Sequence, residues 1–379
     1  FYRYGDHRDL HVRSRRQRQM CIRDSLKAME VRWTLTKEVT LQVGCPLTFL
    51  GIEMELRANG DLFLHQRAFI DLILAKHGLS DCNPITSVQM ESPPDLPEIP
   101  GPKKLKELQQ YSGEFNWLAT RTRPDISYYV SLLASASSKY STWSSEIAHK
   151  ILRYLKGTRD EGIVISVEGS LDDFISWSDA GYAGKDTHSQ SGLVVTWGGS
   201  IITWRSSRQS VAALSTAEAE LYAATLGWQI IEGLRHLLGE LGVVVEQTQL
   251  QLDNKAALTI AECGAQWRTR YFGVRASRLH KEHTLGRVAL GHSPTADMVA
   301  DSLTKLAPAP VLAKLHSAMQ GRLPSTTRAN RKSTDPGSRN RSDPTGDGPQ
   351  ATGSSSSAAA ALTICLLYTS PSPRDVEES

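Results

Sequence analysis

An α/β fold, a five-stranded mixed sheet with flanking helices, is predicted for the stretch from about Gly169 to Gly321, and three observations predict it. Strand-like segments there run as a meander of three, give way to one long helical segment, and resume as two further strands separated by helices. Four acidic residues recur at matching places: Asp179 in FISWSDA, Glu220 in LSTAEAELYAA, Asp253 in LQLDNKAA and Asp301 in MVADSLTK. The first and third close β-like stretches, whereas the second and fourth lie on helical ones. Carboxylates collected in that way form a cage for two divalent cations, which promote in-line attack of water on a phosphodiester. Acids are common on any solvated surface, so their order and setting carry the argument.

The elements follow in order. VTLQV and PLTFLGIEMEL are apolar and strand-like, and Asn59-Gly60 marks a hairpin whose returning strand is DLFLHQ. RAFIDLILAKHGL has helical spacing, with Gly78 as its stop. From Pro84 to Pro102 the chain is rich in Pro, Ser and Glu and reads as a loop. KLKELQQYSGEFNWLATR, RPDISYYVSLLASAS and WSSEIAHKILRYLKGT read as three helices. In the second half FISWSDA is a strand, and GLVVTW and SIITWRS form a hairpin about Gly198-Gly199. A long helix runs from about Ser215 to Leu241. VVEQTQLQLD is a strand, NKAALTIAE and RASRLHKEHTL are helices, VALGHS is a strand and ADMVADSLTKL a final helix.

The two ends read differently. Met20 to Ser25 and Cys365 to Ser370 can be encoded by opposite strands of one short DNA sequence, the pattern of a sequencing adapter flanking an insert. Residues 1–25 and 365–379 are therefore set aside before fold reasoning. The formal net charge of +3 then falls close to neutral, so bulk charge argues neither for nor against a nucleic-acid partner. Of five cysteines, Cys45, Cys82 and Cys263 remain, widely spaced and with no Cys-x-x-Cys pair, which suits a reducing compartment without structural zinc. No apolar run approaches the ~20 residues that span a bilayer. The expected organisation is a first unit at 26–168, a second at 169–321, and a polar, disordered tail at 322–364.

Taken together, several strings resemble the C-terminal part of a copia-type LTR-retrotransposon Pol polyprotein. FLGIEMELRANGDLFLHQRAFIDLIL is similar to the end of its reverse transcriptase, and TRPDISYYVSLLAS with HKILRYLKGTRDEGI to the connecting region. SDAGYAG, ITWRSSRQSVAALSTAEAELYAA, LDNKAAL and TADMVADSLTKL resemble its ribonuclease H domain. The resemblance covers about residues 35–320 in family order. It implies a ribonuclease H-like sheet preceded by a partial reverse-transcriptase thumb and connection. It also implies two-metal cleavage of the RNA strand of an RNA·DNA hybrid by an endonuclease using Mg²⁺, with Mn²⁺ as a substitute. The partners it implies are the hybrid and the other Pol domains of an intact element, polymerase and integrase, with no membrane. The location is cytoplasmic, in a virus-like particle, or nuclear. Two departures stand out. No Tyr-x-Asp-Asp polymerase motif occurs, so DNA synthesis is not expected. The family's Arg-Thr-Lys-His-Ile is replaced by Arg268-Thr269-Arg270-Tyr271-Phe272.

In this reading Asp179 bridges the cations, Asp253 at the end of the fourth strand faces it across the sheet, and Glu220 and Asp301 complete the cage, a division of roles the resemblance implies. Glu218 and Glu220 point about 200° apart on a helix, so only one can face the site. Glu220 adjoins the apolar face of Leu221, Ala224 and Trp228, and it occupies the family's Glu-Leu-x-Ala. Asp297 lies one helical turn before Asp301 and would share its face, but it sits where a capping acid is expected. His292 lies near where cellular ribonucleases H carry a proton-shuttling histidine, and strand histidines are more often half-buried polar residues. Arg205, Ser206, Arg208 and Gln209, with Asn254 beside Asp253, are candidates for gripping phosphates and 2′-hydroxyls. A charged hairpin edge resisting aggregation would use the same residues. Lys150, Arg153 and Lys156 form a basic stripe that suits an ordinary solvated face or a duplex track. The competing overall reading is a catalytically inactive nucleic-acid-binding or connection fragment.

Overall fold

The computed structural model describes residues 40–170, 173–183 and 188–323. The terminal adapter-like segments and most of the expected tail lie outside the described residues. VTLQV forms only isolated bridges, Gln42 to Cys45 and Val43 to Leu56. The apolar run after it is not one strand but a hairpin, β1 (Leu47–Phe49) and β2 (Ile52–Leu56). Leu50 and Gly51 turn the chain between them with φ of 49° and 73°, the double left-handed geometry that closes a two-residue hairpin. The second hairpin leads from β2 through Asn59-Gly60 to β3 (Leu62–His65). A strand that hydropathy alone did not single out, β4 (Ile163–Ile165), pairs with β3 and completes a four-stranded sheet in the order β1-β2-β3-β4.

Four helices fill the interval: α1 (Arg67–Lys76), α2 (Pro102–Ala119), α3 (Ser127–Ala136) and α4 (Ser141–Gly157). Their boundaries follow from local chemistry, with Gly78 just past α1 and Pro102 at the first position of α2, where its missing N–H costs nothing. The basic stripe on α4 is neither a free solvated face nor a free duplex track. Lys150 donates to the Gln89 carbonyl, Arg153 to that of Asn83, and Lys156 to those of Ser80 and Cys82. It fastens the loop that follows α1.

The second sheet is five-stranded and mixed. It contains β5 (Phe174–Gly181), β6 (Gln190–Trp197), β7 (Ser200–Arg208), β8 (Thr248–Leu252) and β9 (Val288–His292), in the spatial order β7-β6-β5-β8-β9. β5, β6 and β7 are an antiparallel meander, and β8 and β9 add in parallel. That order is the ribonuclease H-like arrangement. The helices between strands are α5 (Thr216–Glu240), α6 (Lys255–Cys263) and α7 (Gly273–Thr284), with α8 (Ala309–Met319) after the sheet. Alternation along β5 assigns its two faces. Ser176 lies against Gly227 of α5, while Ile175 and Trp177 join the core containing Val299, Ala300, Leu303 and Leu315.

The expected final helix through ADMVADSLTKL is absent. Met298 is extended, with φ −70° and ψ 106°, and splits the segment into two 3-10 turns, Thr295–Asp297 and Val299–Leu303. The α-helix comes later, as α8. The two expected units are also less separate than composition suggests. From Gln42 the described residues pack as one compact unit, and one core joins Phe115, Leu133 and Leu155 to Trp177, Val194 and Met319.

Candidate metal centre

Parallel pairing of β5 with β8 sets Ile175 beside Gln249 and Trp177 beside Gln251. Continuing that register carries Asp179 alongside Asp253, the first residue beyond β8. Glu220 arrives from α5, whose start is fixed by Ser215: its hydroxyl accepts from the Glu218 N–H, and the Glu218 carboxylate accepts from the Leu214 N–H. This reciprocal capping consumes Glu218 at the helix entrance and leaves Glu220 facing the sheet end. One carboxylate oxygen each from Asp179, Glu220 and Asp253 lie within 4.8 Å of one another.

The electrostatics are those of crowded, desolvated acids. Burial, reinforced by Asp253 and Asp301, pushes the Asp179 carboxyl up to about 6. Burial, with Asp179 and Asp253 nearby, pushes Glu220 up to about 9. Glu220 receives the Ala180 N–H, yet its Oε2 is buried with no hydrogen-bond partner. A buried acceptor left bare costs about 1–3 kcal/mol. Three converging carboxylates and one orphaned oxygen fit a hard divalent cation with oxygen ligands.

Asp301 is buried on the 3-10 turn Val299–Leu303. It stands within electrostatic reach of Asp179 and Glu220, and its Oδ1 is 2.5 Å from the Lys305 ammonium. It therefore borders the three-carboxylate cluster with a cation already on it. Asp297 is exposed, and the break at Met298 removes the common helical face expected for it and Asp301. Thr304 ties the turn to the strand: its hydroxyl donates to Asp179 Oδ2 at 2.5 Å. The turn can lie this close because two glycines face it. A Cβ at Gly192 would come within 2.6 Å of Thr304 and 2.8 Å of the Ala300 carbonyl, and one at Gly181 within 2.5 Å of the Thr304 carbonyl. Thr304, Lys305 and Gly192 were not singled out from sequence. Nothing in periodicity marks them, and the only local signal was their place beside the acidic motifs.

The remaining candidates divide. Arg205 and Arg208 are exposed on β7. Ser206 donates to the Leu303 carbonyl and accepts from Gln190. Gln209 is a correction: it is 3% exposed, and its amide donates to Ser191 and the Ala219 carbonyl. Its amide joins β6 to α5, while its buried Oε1 has no hydrogen-bond partner. Asn254 caps α6 by accepting from the Ala257 N–H. His292 is exposed at the end of β9, 3.0 Å from the Asp253 carbonyl, and Thr295 donates to the Asp253 carboxylate. Within the replaced motif, the Arg270 guanidinium lies 4.0 Å from the centre of the Trp267 ring.

Strand order and carboxylate cluster together define a ribonuclease H-like protein with a candidate divalent-metal centre. No protein-family model matches the chain. It is 31% identical over 264 residues to the Retrovirus-related Pol polyprotein from transposon RE1 of Arabidopsis thaliana, covering 68% of this chain and 18% of that protein. It is 26% identical over 212 residues to the Ty1-H Gag-Pol polyprotein of Saccharomyces cerevisiae, covering 54% and 12%. An uncharacterised mitochondrial protein of Arabidopsis thaliana is 30% identical over 190 residues, 48% of this chain and 77% of that one. The chain belongs to the family of copia-type transposon Pol polyproteins, and it spans under a fifth of the length of the RE1 and RE2 polyproteins it matches. Among solved structures, an RNase H1 isolated from compost, in complex with RNA/DNA hybrid, is 16% identical with a TM-score of 0.27, covering 35% of this chain and 94% of that one. The fold assignment rests on the strand order. No described helix is long and apolar enough to cross a membrane.

Proposed function

We propose that this Pol segment cleaves the RNA strand of RNA·DNA hybrids, with Asp179, Glu220, Asp253 and Asp301 holding two divalent cations, Mg²⁺ by preference. The observation that carries the reading is the convergence of three carboxylates within 4.8 Å around a buried oxygen with no partner. The cations would neutralise charge at the scissile phosphate and activate water. The chain's own residues prepare the place. Asp179 is anchored on β5 and Asp253 just beyond the end of the parallel β8, Thr304 fixes the orientation of Asp179, and Glu220 would give up its proton where a cation is held. Arg205, Arg208 and Asn254 would supply backbone and 2′-hydroxyl contacts. In this proposal residues 169–321 carry the chemistry and 26–168 carry the connection, working in the cytoplasm or nucleus beside the other Pol domains.

The test is incubation of the full chain with a labelled hybrid and Mg²⁺ or Mn²⁺. RNA-strand products that vanish with Asp179→Asn and with chelator support the reading. Binding without cleavage favours the inactive connection fragment. Cleavage that persists in Asp179→Asn sinks the assignment.

A further inference from the structure

The proline-rich segment after α1 is tied down at two points and open to solvent between them. The Trp143 indole donates to the Glu91 carbonyl at 3.2 Å. Further on, the Ser141 N–H donates to the Glu98 carbonyl, and the Glu98 carboxylate accepts from the N–H and hydroxyl of Thr142. Both ties lead to the start of α4, and every residue from 91 to 99 is exposed. Pro93, Pro94 and Pro97 fix φ within the loop, which lowers the entropy lost when it docks. Leu96 and Ile99 are 81% and 79% exposed. The carboxylates of Glu91 and Asp95 bond to no described residue. A stiffened segment, both acidic and aliphatic, is thus held out to solvent.

A surface of the opposite kind lies on the five-stranded half. A bowl of about 960 Å³ opens between α5 and α7, lined by Arg270, Arg275, Arg278 and Lys281, with no acidic residue among its described lining. The first three guanidiniums lie 4.0, 4.6 and 4.4 Å from the ring centres of Trp267, Tyr222 and Trp228, contacts that orient them before any ligand arrives. Among the described residues, Arg278 alone of the four cations is ion-paired, with Glu282 at 3.3 Å. Trp267 and Tyr271 are exposed beside them, and Val274 is 89% exposed. Trp, Tyr and Arg gathered in one place are the residue types that anchor protein interfaces. A phosphate would satisfy the cations and leave Val274 uncovered. A segment with both carboxylates and aliphatic side chains satisfies the whole surface, and this chain carries one. Loop and bowl do not cover each other within one molecule, since both are open to solvent. The formal net charge of +3 sets little long-range repulsion between copies.

We propose that the 91–99 loop of one copy of this chain docks in the α5–α7 bowl of a second copy. Leu96 and Ile99 lie against Trp267, Tyr271 and Val274, and Glu91 and Asp95 sit among the arginines. Two different surfaces meet, so the contact is heterologous. A loop this short buries an area at the small end of specific interfaces, which makes the assembly a transient one. The contact uses no residue of the carboxylate cluster, so a chain that cuts no hybrid still makes it.

The experiment is sedimentation velocity of the full chain at rising concentration up to about 200 μM, in low and in high salt. The loop variant carries Asp95→Arg and Leu96→Ser, and the bowl variant carries Arg270→Glu and Val274→Ser, all at exposed positions. Arg322→Glu is an equal charge reversal outside both surfaces. Expected is self-association of the unaltered chain that weakens with salt, is retained in Arg322→Glu, and is at least about tenfold weaker in each double variant alone. An equal mixture of the two double variants should associate again, because the loop of the bowl variant and the bowl of the loop variant are both intact. Circular dichroism confirms that each variant is folded. An unaltered chain that stays monomeric throughout overturns the proposal, as do double variants that associate like the unaltered chain. A mixture that stays monomeric shows that loop and bowl are not partners and also overturns it. So does a bowl variant that loses affinity for an RNA·DNA hybrid while its self-association is intact, since the bowl would then be a nucleic-acid surface.

Discussion

At the scale of single residues the centre is governed by carboxylate crowding. With Glu220 raised to about 9 and Asp179 to about 6, the cation-free protein carries protons that the unfolded chain would release. Stability from these groups is therefore fully present at low pH and is lost as pH rises through about 6 and then about 9. Expected is a cation-free melting temperature that falls between pH 5 and 9, a fall that Glu220→Gln flattens and added Mg²⁺ offsets. Calorimetry in buffers of different ionisation enthalpy should also show proton release on Mn²⁺ binding at pH 7; no release would remove Glu220 from the ligand set. The two glutamates separate by the same logic. Glu220→Gln should lower hybrid cleavage at least about a hundredfold, the scale of losing a charged group that stabilises the transition state. Glu218→Gln touches only the helix entrance and should cost about 0.5–1 kcal/mol of stability, with cleavage retained. Equal kinetic losses would refute the assignment. Lys305→Met strips the ammonium from Asp301, so Mn²⁺ affinity should rise, most visibly at low ionic strength.

Elements position these residues, and the least regular one matters most. The turn Val299–Leu303 carries Asp301 and lies directly on Gly192, and Thr304, which follows it, lies on both Gly181 and Gly192. At Gly192 an added methyl would meet a carbonyl and a packed side chain below 3 Å, so the turn would have to lift. Gly192→Ala is expected to reduce cleavage more than tenfold, in line with the cost of misplacing a catalytic group by about 1 Å, while the sheet survives. Retained activity would show that the turn is dispensable. α8, which follows that turn, is held by His316, 3.1 Å from the Tyr154 hydroxyl and 3.7 Å from Asp125. Burial alone would lower the His316 pKa, but the Asp125 carboxylate overrides it and raises it. Its contribution is thus complete below the unfolded value of about 6.5 and disappears as pH rises through the folded value. His316→Gln should destabilise more at pH 6 than at pH 9, as denaturant melts at the two values would reveal.

For the whole molecule the decisive feature is the shared core. Arg123 and Asp125 form a fully buried bidentate pair, joined by Tyr154 of α4 and facing α8. Burial alone would raise the Asp125 carboxyl, and the Arg123 guanidinium overrides it, holding it well below the usual carboxylate range. Breaking such a pair from one side strands a buried charge and costs about 3–5 kcal/mol. Asp125→Asn should therefore lower the stability of both halves together, in a single transition seen alike by near- and far-UV circular dichroism. Two separated transitions would argue for independent domains.

Much of this was legible in the chain. Turn chemistry at Asn59-Gly60 and Gly198-Gly199 and apolar periodicity reach only a few residues, so they set the meander, the long helix and, with the family's Glu-Leu-x-Ala, the choice of Glu220. The division into strands and helices also supplied the order from which a mixed sheet follows. Other features depended on residues distant in sequence. β4 exists because β3 offers it an edge, Met298 breaks the expected helix where the turn must lie on Gly192, and the basic stripe on α4 is spent on a loop some 60–75 residues earlier. Gln209 looked like a ligand and is an internal tie because α5 folds back over β6. The meeting of Asp179, Glu220 and Asp253 within one small volume belongs to both levels. Sequence placed each carboxylate at the end of a strand or start of a helix, and parallel pairing of β5 with β8 brought them together, since only tertiary packing can offset the cost of holding three carboxylates side by side.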